Sequence, residues 1–557
     1  MHATEKADRA IRLFFCAPDV TDRRALVILL AIHLAIVAIV QPRGDFPLND
    51  DWAYAHSVQW LLAEGRIRLS DWVGMNLVPQ TLGGGLVVSV AGFSFEVLRH
   101  LTQAIAVLAM AAAYFWFRAA RLEPGAALVA TGTLVAFPAW PVLANSYMTD
   151  LYGLALALPA ATLFLKALEE HRRNGIVAAT ALSVVGVLER QVILVIPFAF
   201  MVAWLWTRRP LDGGTIARGV APFAAVVAAE AAFHAYLVLG PGLPSGHLLH
   251  GRVVSMSLQA LRNESGVIPW ILANFATLPA YLGFFAIGWL AWWGMSGAKA
   301  IGKVAVIAGG IAIAIAAFAL GWFPPYRAGY IIDAAGIGPL LLYDSVRGLA
   351  PLDRSAGILW RAIALPTAFA MAALIVMLLS WIVALVRRGR SADPVPVFLV
   401  AVVVAYVGPM LVTDYFDRYL LYVLPFMFVL WARWGASTAA RWPRALAVAW
   451  IAGAIVLSSV ATRDYFSWNR ARWDAIRMAE RLGASPESID GGYEYNAYRR
   501  FETRTKVPDG KSWWWVADDR YVVAFSQVPG YEVVETWKLR PWLPRSPSEV
   551  KLLRRKS

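Results

Sequence analysis

Cysteine and charged residues are scarce in this sequence. Among 557 residues there is one cysteine, Cys16, so no disulfide can form within the chain and nothing in it needs an oxidising compartment for folding. Charged residues make up only 16% of the chain, whereas hydrophobic residues make up 59%. Long apolar runs separated by short charged segments exclude a soluble protein, in which amphipathic periodicity is expected. The composition therefore predicts a polytopic α-helical membrane protein.

Hydropathy predicts about 13 membrane-spanning helices. The first follows the basic segment 1–24, and because no small-residue cleavage site comes after it, it is interpreted as an uncleaved signal anchor. The segment 82–95 is apolar but short and rich in glycine, so we expect it to be re-entrant or to lie on the surface. The predicted spans are 25–40, 101–117, 126–142, 151–165, 176–188, 192–206, 221–239, 271–293, 304–320, 362–386, 397–412, 420–431 and 445–460.

The net charge of +14 is carried largely by short loops beside the ends of the spans. Basic residues in such loops mark the cytoplasmic side of a membrane, so nucleic acid is not expected as a partner. If 82–95 does not cross, these loops and the N-terminal segment 1–24 lie in the cytoplasm. The external side then receives the following segments: 41–100, 240–266, 321–361, 413–419 and 463–557. Long external loops indicate that the chemistry is external.

The C-terminal region predicts a small α/β domain outside the membrane. We divide the chain into a cytoplasmic N-terminus at 1–24, a transmembrane catalytic domain at 25–462 and an external domain at 463–557. Within the last, a helix is expected at 473–482 with Gly483 as its C-cap. Strands are predicted at 513–516, 521–525 and 531–539, and 490–496 is interpreted as a strand and turn, with a sugar-facing loop as the alternative.

Asp50 and Asp51 form the first acidic site. In a structural interpretation, Asn49 caps a surface helix whose dipole favours the two aspartates in its first turn. In a catalytic interpretation, a carboxylate held there abstracts a proton from a sugar hydroxyl. The two interpretations are compatible, and apolar positions further along the helix are expected to face the membrane: Tyr54, Val58, Leu61 and Leu62.

Asp150 is a second acidic site, at the start of the fourth predicted span. It ends the sequence Ser-Tyr-Met-Thr-Asp and is either an interfacial N-cap or part of the site. Two acidic sites on one face, Asp51 and Asp150, could share a divalent cation, Mg²⁺ or Mn²⁺, with a substrate phosphate. Nothing in the sequence requires such a metal.

Three arginines in external turns could hold a phosphate. Arg190, Arg327 and Arg418 each present a guanidinium fork that suits paired phosphate oxygens. The alternative is pairing with sequence neighbours, with Glu189 for Arg190 and with Asp414 or Asp417 for Arg418.

These motifs, in this order, resemble the GT-C glycosyltransferases. The acidic first external loop, Ser-Tyr-Met-Thr-Asp at 146–150, the basic turn at Arg190 and Asp-Arg-Tyr-Leu-Leu-Tyr-Val-Leu-Pro at 417–425 are most similar to bacterial relatives of the protein O-mannosyltransferases and of the lipid A aminoarabinose transferase. The C-terminal domain lacks a Trp-Trp-Asp motif, although Trp-Trp-Trp-Val-Ala-Asp at 513–518 is loosely similar, so an oligosaccharyltransferase is not expected.

The resemblance implies a glycosyltransferase at the outer face of a bacterial inner membrane. The donor would be a polyprenyl-phosphate sugar, and the acceptor would be a hydroxyl of a lipid, glycan or protein. Membrane lipids would be further partners of the chain. By position, Asp50 or Asp51 would activate that hydroxyl, and we favour Asp51. Asp150 would orient the acceptor or a metal, and Arg190 would contact the lipid phosphate, with inversion at the anomeric carbon. The alternative is a transporter or flippase for a lipid-linked saccharide, but such proteins tend to place polar residues within helices and to show internal repeats.

Overall fold

The computed structural model of the chain describes residues 20–170, 173–247, 267–296, 298–321, 332–333, 336–350, 358–413, 415–435, 441–503, 507, 511 and 514–556. Most of these residues lie in helices. The helices are α1 Val20–Val40, α2 Asp51–Glu64, α3 Val78–Ala91, α4 Phe95–Ala119, α5 Pro124–Val135, α6 Trp140–Ala144, α7 Asp150–Glu170, α8 Arg173–Val187, α9 Val195–Thr207, α10 Gly213–Leu239, α11 Val267–Trp293, α12 Ala300–Ala319, α13 Tyr343–Val346, α14 Ile358–Arg388, α15 Pro394–Met410, α16 Leu424–Trp434, α17 Arg441–Arg481 and α18 Tyr493–Arg500.

Eight helices in the described residues are long and apolar enough to cross a membrane, which confirms the helical membrane-protein class. They are α1, α4, α7, α10, α11, α12, α14 and α17. The other predicted spans coincide with shorter apolar helices, so the count of thirteen stays a prediction. Helix α3 covers 82–91 of the ambiguous segment and has 14 residues, or about 21 Å, so its re-entrant or surface position stays a prediction.

Helix α7 lies among other helices and fixes where the fourth predicted span begins. Its small residues Ala157, Ala160 and Ala161 are buried, which lets neighbouring helices approach closely. It packs against α4 on one side and α8 on another. Because α7 is held on several sides, its first residue, Asp150, has a fixed position.

The C-terminal region forms a four-stranded sheet beside the end of α17. The strands are β3 Ile489–Asp490, β4 Tyr521–Ala524, β5 Tyr531–Lys538 and β6 Glu549–Arg555, in the order β3-β4-β6-β5, and a separate two-stranded ladder pairs β1 Ile332–Asp333 with β2 Gly336–Ile337. Strand β3 is parallel to β4, and the other pairs in the four-stranded sheet are antiparallel. Helix α17 continues through the predicted domain boundary at 463, and Gly483 has a left-handed φ of 85° just after it, as expected of a C-cap.

Two predictions for this region are wrong. Trp514 and Trp515 lie in a turn rather than in a strand, and Trp515 has a φ of 59°, which is incompatible with extended structure. The segment 490–496 contains the second residue of strand β3, two glycines and the first turn of α18, rather than a strand and turn alone. Strand β6 was not predicted.

The loops gather at two ends of the molecule as the charge pattern predicts. At one end, Asp50 lies near Arg418 and accepts a hydrogen bond from Tyr493 of the C-terminal region. At the other end, Arg433 pairs with Glu169 and with Asp393. These contacts agree with the predicted grouping of the loops that they join, and the assignment of the loops to the two sides of a membrane stays a prediction.

Candidate functional site

The first acidic site lies at the start of α2. Asn49 has a φ of 53° and does not cap the helix, so that prediction is wrong. Asp50 occupies the N-cap position but its side chain makes no capping hydrogen bond. The reason is that its carboxylate is taken by side chains from other parts of the chain.

Asp50 lies at the meeting point of three segments. Its Oδ1 accepts hydrogen bonds from Trp72 Nε1 at 3.0 Å and from the Tyr493 hydroxyl at 2.7 Å. Its Oδ2 lies 3.6 Å from Nη2 of Arg418, and 17% of the side chain remains exposed. Asp50 therefore combines an oriented carboxylate, an adjacent cation and access to solvent.

Asp51 is buried on the other side of the same turn. It is 1% exposed, and its Oδ2 accepts a hydrogen bond from the backbone N–H of Leu48 at 3.2 Å. Burial raises the pKa of Asp51 to about 7, although the backbone of Tyr147 and the charge of Arg99 lower it. The two aspartates, which the sequence could not separate, thus have different environments.

Helix α2 does not lie with its predicted apolar face on lipid. Tyr54 and Val58 are buried inside the protein, Leu61 is partly buried, and Leu62 is 47% exposed. The first half of the helix is enclosed, so the rigid support for Asp50 comes from the protein interior rather than from a membrane surface.

Asp150 and Arg190 form a buried ion pair. Nη1 of Arg190 donates to Asp150 Oδ1 at 2.7 Å and to the Thr149 hydroxyl at 3.0 Å. The Tyr422 hydroxyl donates to the backbone carbonyl of Asp150 at 2.8 Å. That approach is possible because Gly153 has no side chain, and a Cβ there would collide with Tyr422.

Arg418 links the two acidic sites. Its Nε lies 3.8 Å from Asp150 Oδ2, and its Nη2 faces Asp50, while the side chain is only 3% exposed. Both distances, 3.8 Å to Asp150 and 3.6 Å to Asp50, exceed hydrogen-bonding range. Within the described residues, Nε of Arg418 and Oδ2 of Asp150 have no hydrogen-bond partner. Arg418 is therefore a buried cation whose charge is balanced by the two carboxylates, while its Nε–H has no hydrogen-bond acceptor among the described residues.

Arg190 does not pair with Glu189, and the guanidinium of Arg418 does not pair with Asp417. Glu189 is fully buried and accepts a hydrogen bond from the backbone N–H of Gln80 at 2.9 Å, whereas Arg190 points to Asp150. Asp417 accepts from the backbone N–H of Arg418 at 2.8 Å, not from its guanidinium. Asp414 and the predicted phosphate ligand Arg327 lie outside the described residues.

A divalent cation shared by Asp51 and Asp150 does not fit these contacts. The Asp150 carboxylate faces two guanidinium groups, which already supply the positive charge that a metal would bring. Asp51 Oδ2 accepts from the backbone N–H of Leu48, and its Oδ1 has no hydrogen-bond partner among the described residues. In the described part of the chain, no group of three or more His, Cys, Asp or Glu side chains is arranged to hold a metal. We therefore assign no step to a metal, and the cation stays a prediction.

Sequence reasoning missed the contributions of Trp72, Tyr493 and Glu494. Glu494 accepts from the backbone N–H of Asn49 at 3.2 Å and pairs with Arg472 at 2.7 Å, and neither side chain of that pair is exposed. Tyr493 and Glu494 belong to the 490–496 segment, whose aromatic and amide residues gave the only signal of a sugar-facing loop. The C-terminal region therefore completes the site at Asp50.

An apolar cavity of about 400 Å³ lies between α3, α4, α7 and α8. It is lined by side chains that include Leu101, Phe115 and Leu156, and by Tyr152, two residues after Asp150. Its lining is almost wholly apolar, so it suits a hydrocarbon chain and not a sugar or a phosphate.

Among known proteins, similarity was found to solved structures only. No protein-family model matches the chain, and no curated protein matches it. A crystal structure of ArnT from Cupriavidus metallidurans in the apo state is similar with a TM-score of 0.37 and 14% identity, covering 94% of this chain and 97% of that one. A structure of the same protein bound to undecaprenyl phosphate has a TM-score of 0.38 and 15% identity, covering 95% and 97%.

Proposed function

We propose that this protein is a GT-C-type glycosyltransferase of the bacterial inner membrane. It moves a sugar from a polyprenyl-phosphate donor to an acceptor hydroxyl at the outer face, with inversion. The observation that supports this most is that the buried Arg418 lies between Asp150 and the part-exposed Asp50, while Arg190 is paired with Asp150. That arrangement pairs a base with a cationic phosphate site, as attack on a phosphate-linked sugar requires.

Asp50, rather than Asp51, is the base in this proposal. A base must reach the proton that it abstracts, and Asp50 has exposed surface while Asp51 is enclosed. Trp72 and Tyr493 hold Oδ1 of Asp50 and so leave Oδ2 for the acceptor. The acceptor oxygen bonds to the anomeric carbon and its proton passes to Asp50.

Arg418 stabilises the leaving phosphate. The bond between the anomeric carbon and the phosphate oxygen breaks, and its electron pair leaves with that oxygen. A guanidinium whose donors are not all satisfied by the protein can turn them to the developing negative charge. Asp150 positions Arg190 beside Arg418, and its role here is to orient the two cations.

The apolar cavity provides the place for the prenyl chain. Tyr152 joins the cavity lining to the turn that carries Asp150, so a chain in the cavity would lead its phosphate towards the arginines. The remaining polar surface near Asp50 is then left for the acceptor.

The test is transfer from a panel of radiolabelled polyprenyl-phosphate sugars in native membranes. We expect transfer by the wild type, loss of about 100-fold in Arg418→Gln, and no change in Arg433→Gln, a matched substitution at the opposite end. Product analysis should show the inverted anomer. No transfer with any donor, together with movement of labelled donor across sealed vesicles, would instead support the flippase.

A further inference from the structure

Four aromatic side chains form a cluster beside Asp50, which we call the aromatic cluster: Trp72, Tyr493, Phe501 and Trp515. The rings of Trp72 and Trp515 lie 5.6 Å apart at 86°, and those of Trp72 and Phe501 lie 5.7 Å apart at 81°. Tyr493 is 6.0 Å from Trp72 and 6.1 Å from Trp515. The loop before α3 and the C-terminal region therefore meet through aromatic faces.

The outer part of the aromatic cluster is accessible. Trp72 is 37% exposed and Trp515 is partly exposed, whereas Trp52 behind them is fully buried. An aromatic pair elsewhere in the molecule that only contributes to packing is buried instead of exposed. Phe46 and Trp473 stack at 6.2 Å with nearly parallel rings, and both are buried. Exposed indoles next to a polar group mark a binding surface more often than a core.

The backbone at Trp515 is held in a conformation that large residues rarely adopt. Its φ is 59°, in the left-handed region, where a bulky side chain is an outlier. Arg500 holds it there by donating to the Trp515 carbonyl at 2.7 Å. Residues kept in such conformations tend to occur where a site needs a particular side-chain direction. The constraint sets the indole of Trp515 across that of Trp72.

Trp72 also connects the aromatic cluster to the base. Its Nε1 donates to Asp50 Oδ1, so its ring is fixed within a hydrogen bond of the carboxylate. An indole presents a large apolar face with a polar edge. The C–H face of a sugar ring matches that face, while the sugar's hydroxyl groups extend beyond it towards hydrogen-bonding partners. A peptide hydroxyl on a serine or threonine offers no such face.

We propose that Trp72 and Trp515 bind the sugar ring that carries the accepting hydroxyl, so that the acceptor is a saccharide. The inference rests on the proposed function, because it takes Asp50 to be the base. Because the two indoles are nearly perpendicular, the acceptor ring stacks on one and lies against the edge of the other, and one of its hydroxyl groups reaches Asp50 Oδ2. A membrane-anchored glycan or glycolipid fits this arrangement, and a protein acceptor does not.

The test is binding of octyl β-D-glucoside, below its critical micelle concentration, to the full chain in nanodiscs. Saturation-transfer difference NMR separates the sugar-ring protons from the alkyl protons, and tetraethylene glycol monooctyl ether supplies the same alkyl chain without a ring. We expect sugar-ring saturation in the wild type and a loss of about three- to tenfold in Trp72→Ala and in Trp515→Ala. Trp542→Ala is the matched control, because Trp542 is 55% exposed and has no ring contact with the aromatic cluster among the described residues.

Trp72→Phe keeps an aromatic face but loses the donor to Asp50, so its sugar-ring saturation should stay near that of the wild type. It also covers the case in which Trp72→Ala does not fold. Sugar-ring saturation in the wild type no greater than in Trp72→Ala and Trp515→Ala, or a loss of the same size in Trp542→Ala, would overturn the proposal. The measurement needs neither donor nor transfer. Transfer without sugar-ring saturation would therefore leave the proposed function standing and remove this inference alone.

Discussion

The two ends of the molecule treat charge differently. At the site, Arg190, Arg418 and Asp150 are at most 7% exposed. At the opposite end, the side chain of Arg121 is 75% exposed and those of Arg433 and Glu169 are 23% and 20% exposed, and these charges pair with one another. Both ends are rich in arginine, so composition alone does not distinguish them.

In the proposed function the buried charges serve chemistry, whereas the charge pattern predicts that the exposed charges orient the protein in the membrane. Half-exposed pairs contribute little free energy because water competes for them. Buried charges cost several kcal/mol to desolvate, so a cluster of buried charges beside a part-exposed carboxylate is a candidate functional site. The four predictions that follow test this contrast, starting with the largest expected effect.

Arg190→Gln should have the largest effect on transfer and should also lower stability. It leaves the carboxylate of Asp150 buried without its hydrogen-bonded partner, which costs roughly 3–5 kcal/mol of unfolding free energy. Loss of a cation at the phosphate should lower the rate of transfer by about 10²–10³. Thermal unfolding and a transfer assay measure the two effects. In the double variant Arg190→Gln/Asp150→Asn, stability should recover in part while transfer does not, and recovery of transfer would contradict the phosphate role.

Asp51 should make stability depend on pH with a sign opposite to that of an ordinary ion-paired carboxylate. Its pKa is about 7 in the folded protein against 3.8 for the free side chain, so the folded state binds the proton more tightly. The free energy of unfolding should therefore fall by roughly 2–4 kcal/mol as pH rises from about 4 to about 7, and level off above that.

The Asp51→Asn variant should lose this slope and be relatively more stable than the wild type at pH 8 than at pH 5. Thermal midpoints at the two pH values measure the difference. Asp474→Asn, at a side chain that is 51% exposed, is the matched control and should keep the wild-type slope. An unchanged slope in Asp51→Asn would contradict the burial argument.

Glu494 should act as a positioning residue for Asp50. Glu494→Ala removes the acceptor of the Asn49 N–H and the partner of Arg472, so the turn that carries Asp50 is less well held. We expect kcat to fall by about tenfold while the donor KM stays unchanged. Glu494→Gln keeps an oxygen for Asn49 and should recover part of kcat. A parallel rise in donor KM in both variants would indicate a general structural defect instead.

Glu169→Gln should have the smallest effect. It breaks the pairs with Arg121 and Arg433, all of which have access to water. The free energy of unfolding should change by less than about 1 kcal/mol, and transfer should be unchanged. A loss of transfer like that of Arg190→Gln would show that the two ends are not distinct in the way proposed here.

Much of the fold could be predicted because it depends on local hydropathy. The apolar runs predicted the positions of most helices, and the basic loops predicted which helix ends lie near one another. The partners of Asp50 could not be predicted, since Tyr493 lies 443 positions away in the chain and meets it only through tertiary packing. For the same reason the local sequence suggests Glu189 as the ion-pair partner of Arg190, although Arg190 pairs with Asp150, 40 positions earlier.

The choice between Asp50 and Asp51 shows the same limit. Both precede the same apolar helix, and local sequence gives them equal claims to a catalytic role. Their environments differ through what each contacts: Arg418 and solvent for Asp50, and the backbone N–H of Leu48 in the interior for Asp51.

The most direct measurement compares the transfer rates of purified Asp50→Asn and Asp51→Asn with the same donor and acceptor. We predict that Asp50→Asn lowers kcat by at least about 100-fold, because a general base is lost. Asp51→Asn should stay within about threefold of the wild type, because a carboxyl with a pKa near 7 is already partly protonated at neutral pH. The reverse order, or equal loss in both variants, would contradict the assignment of the base to Asp50.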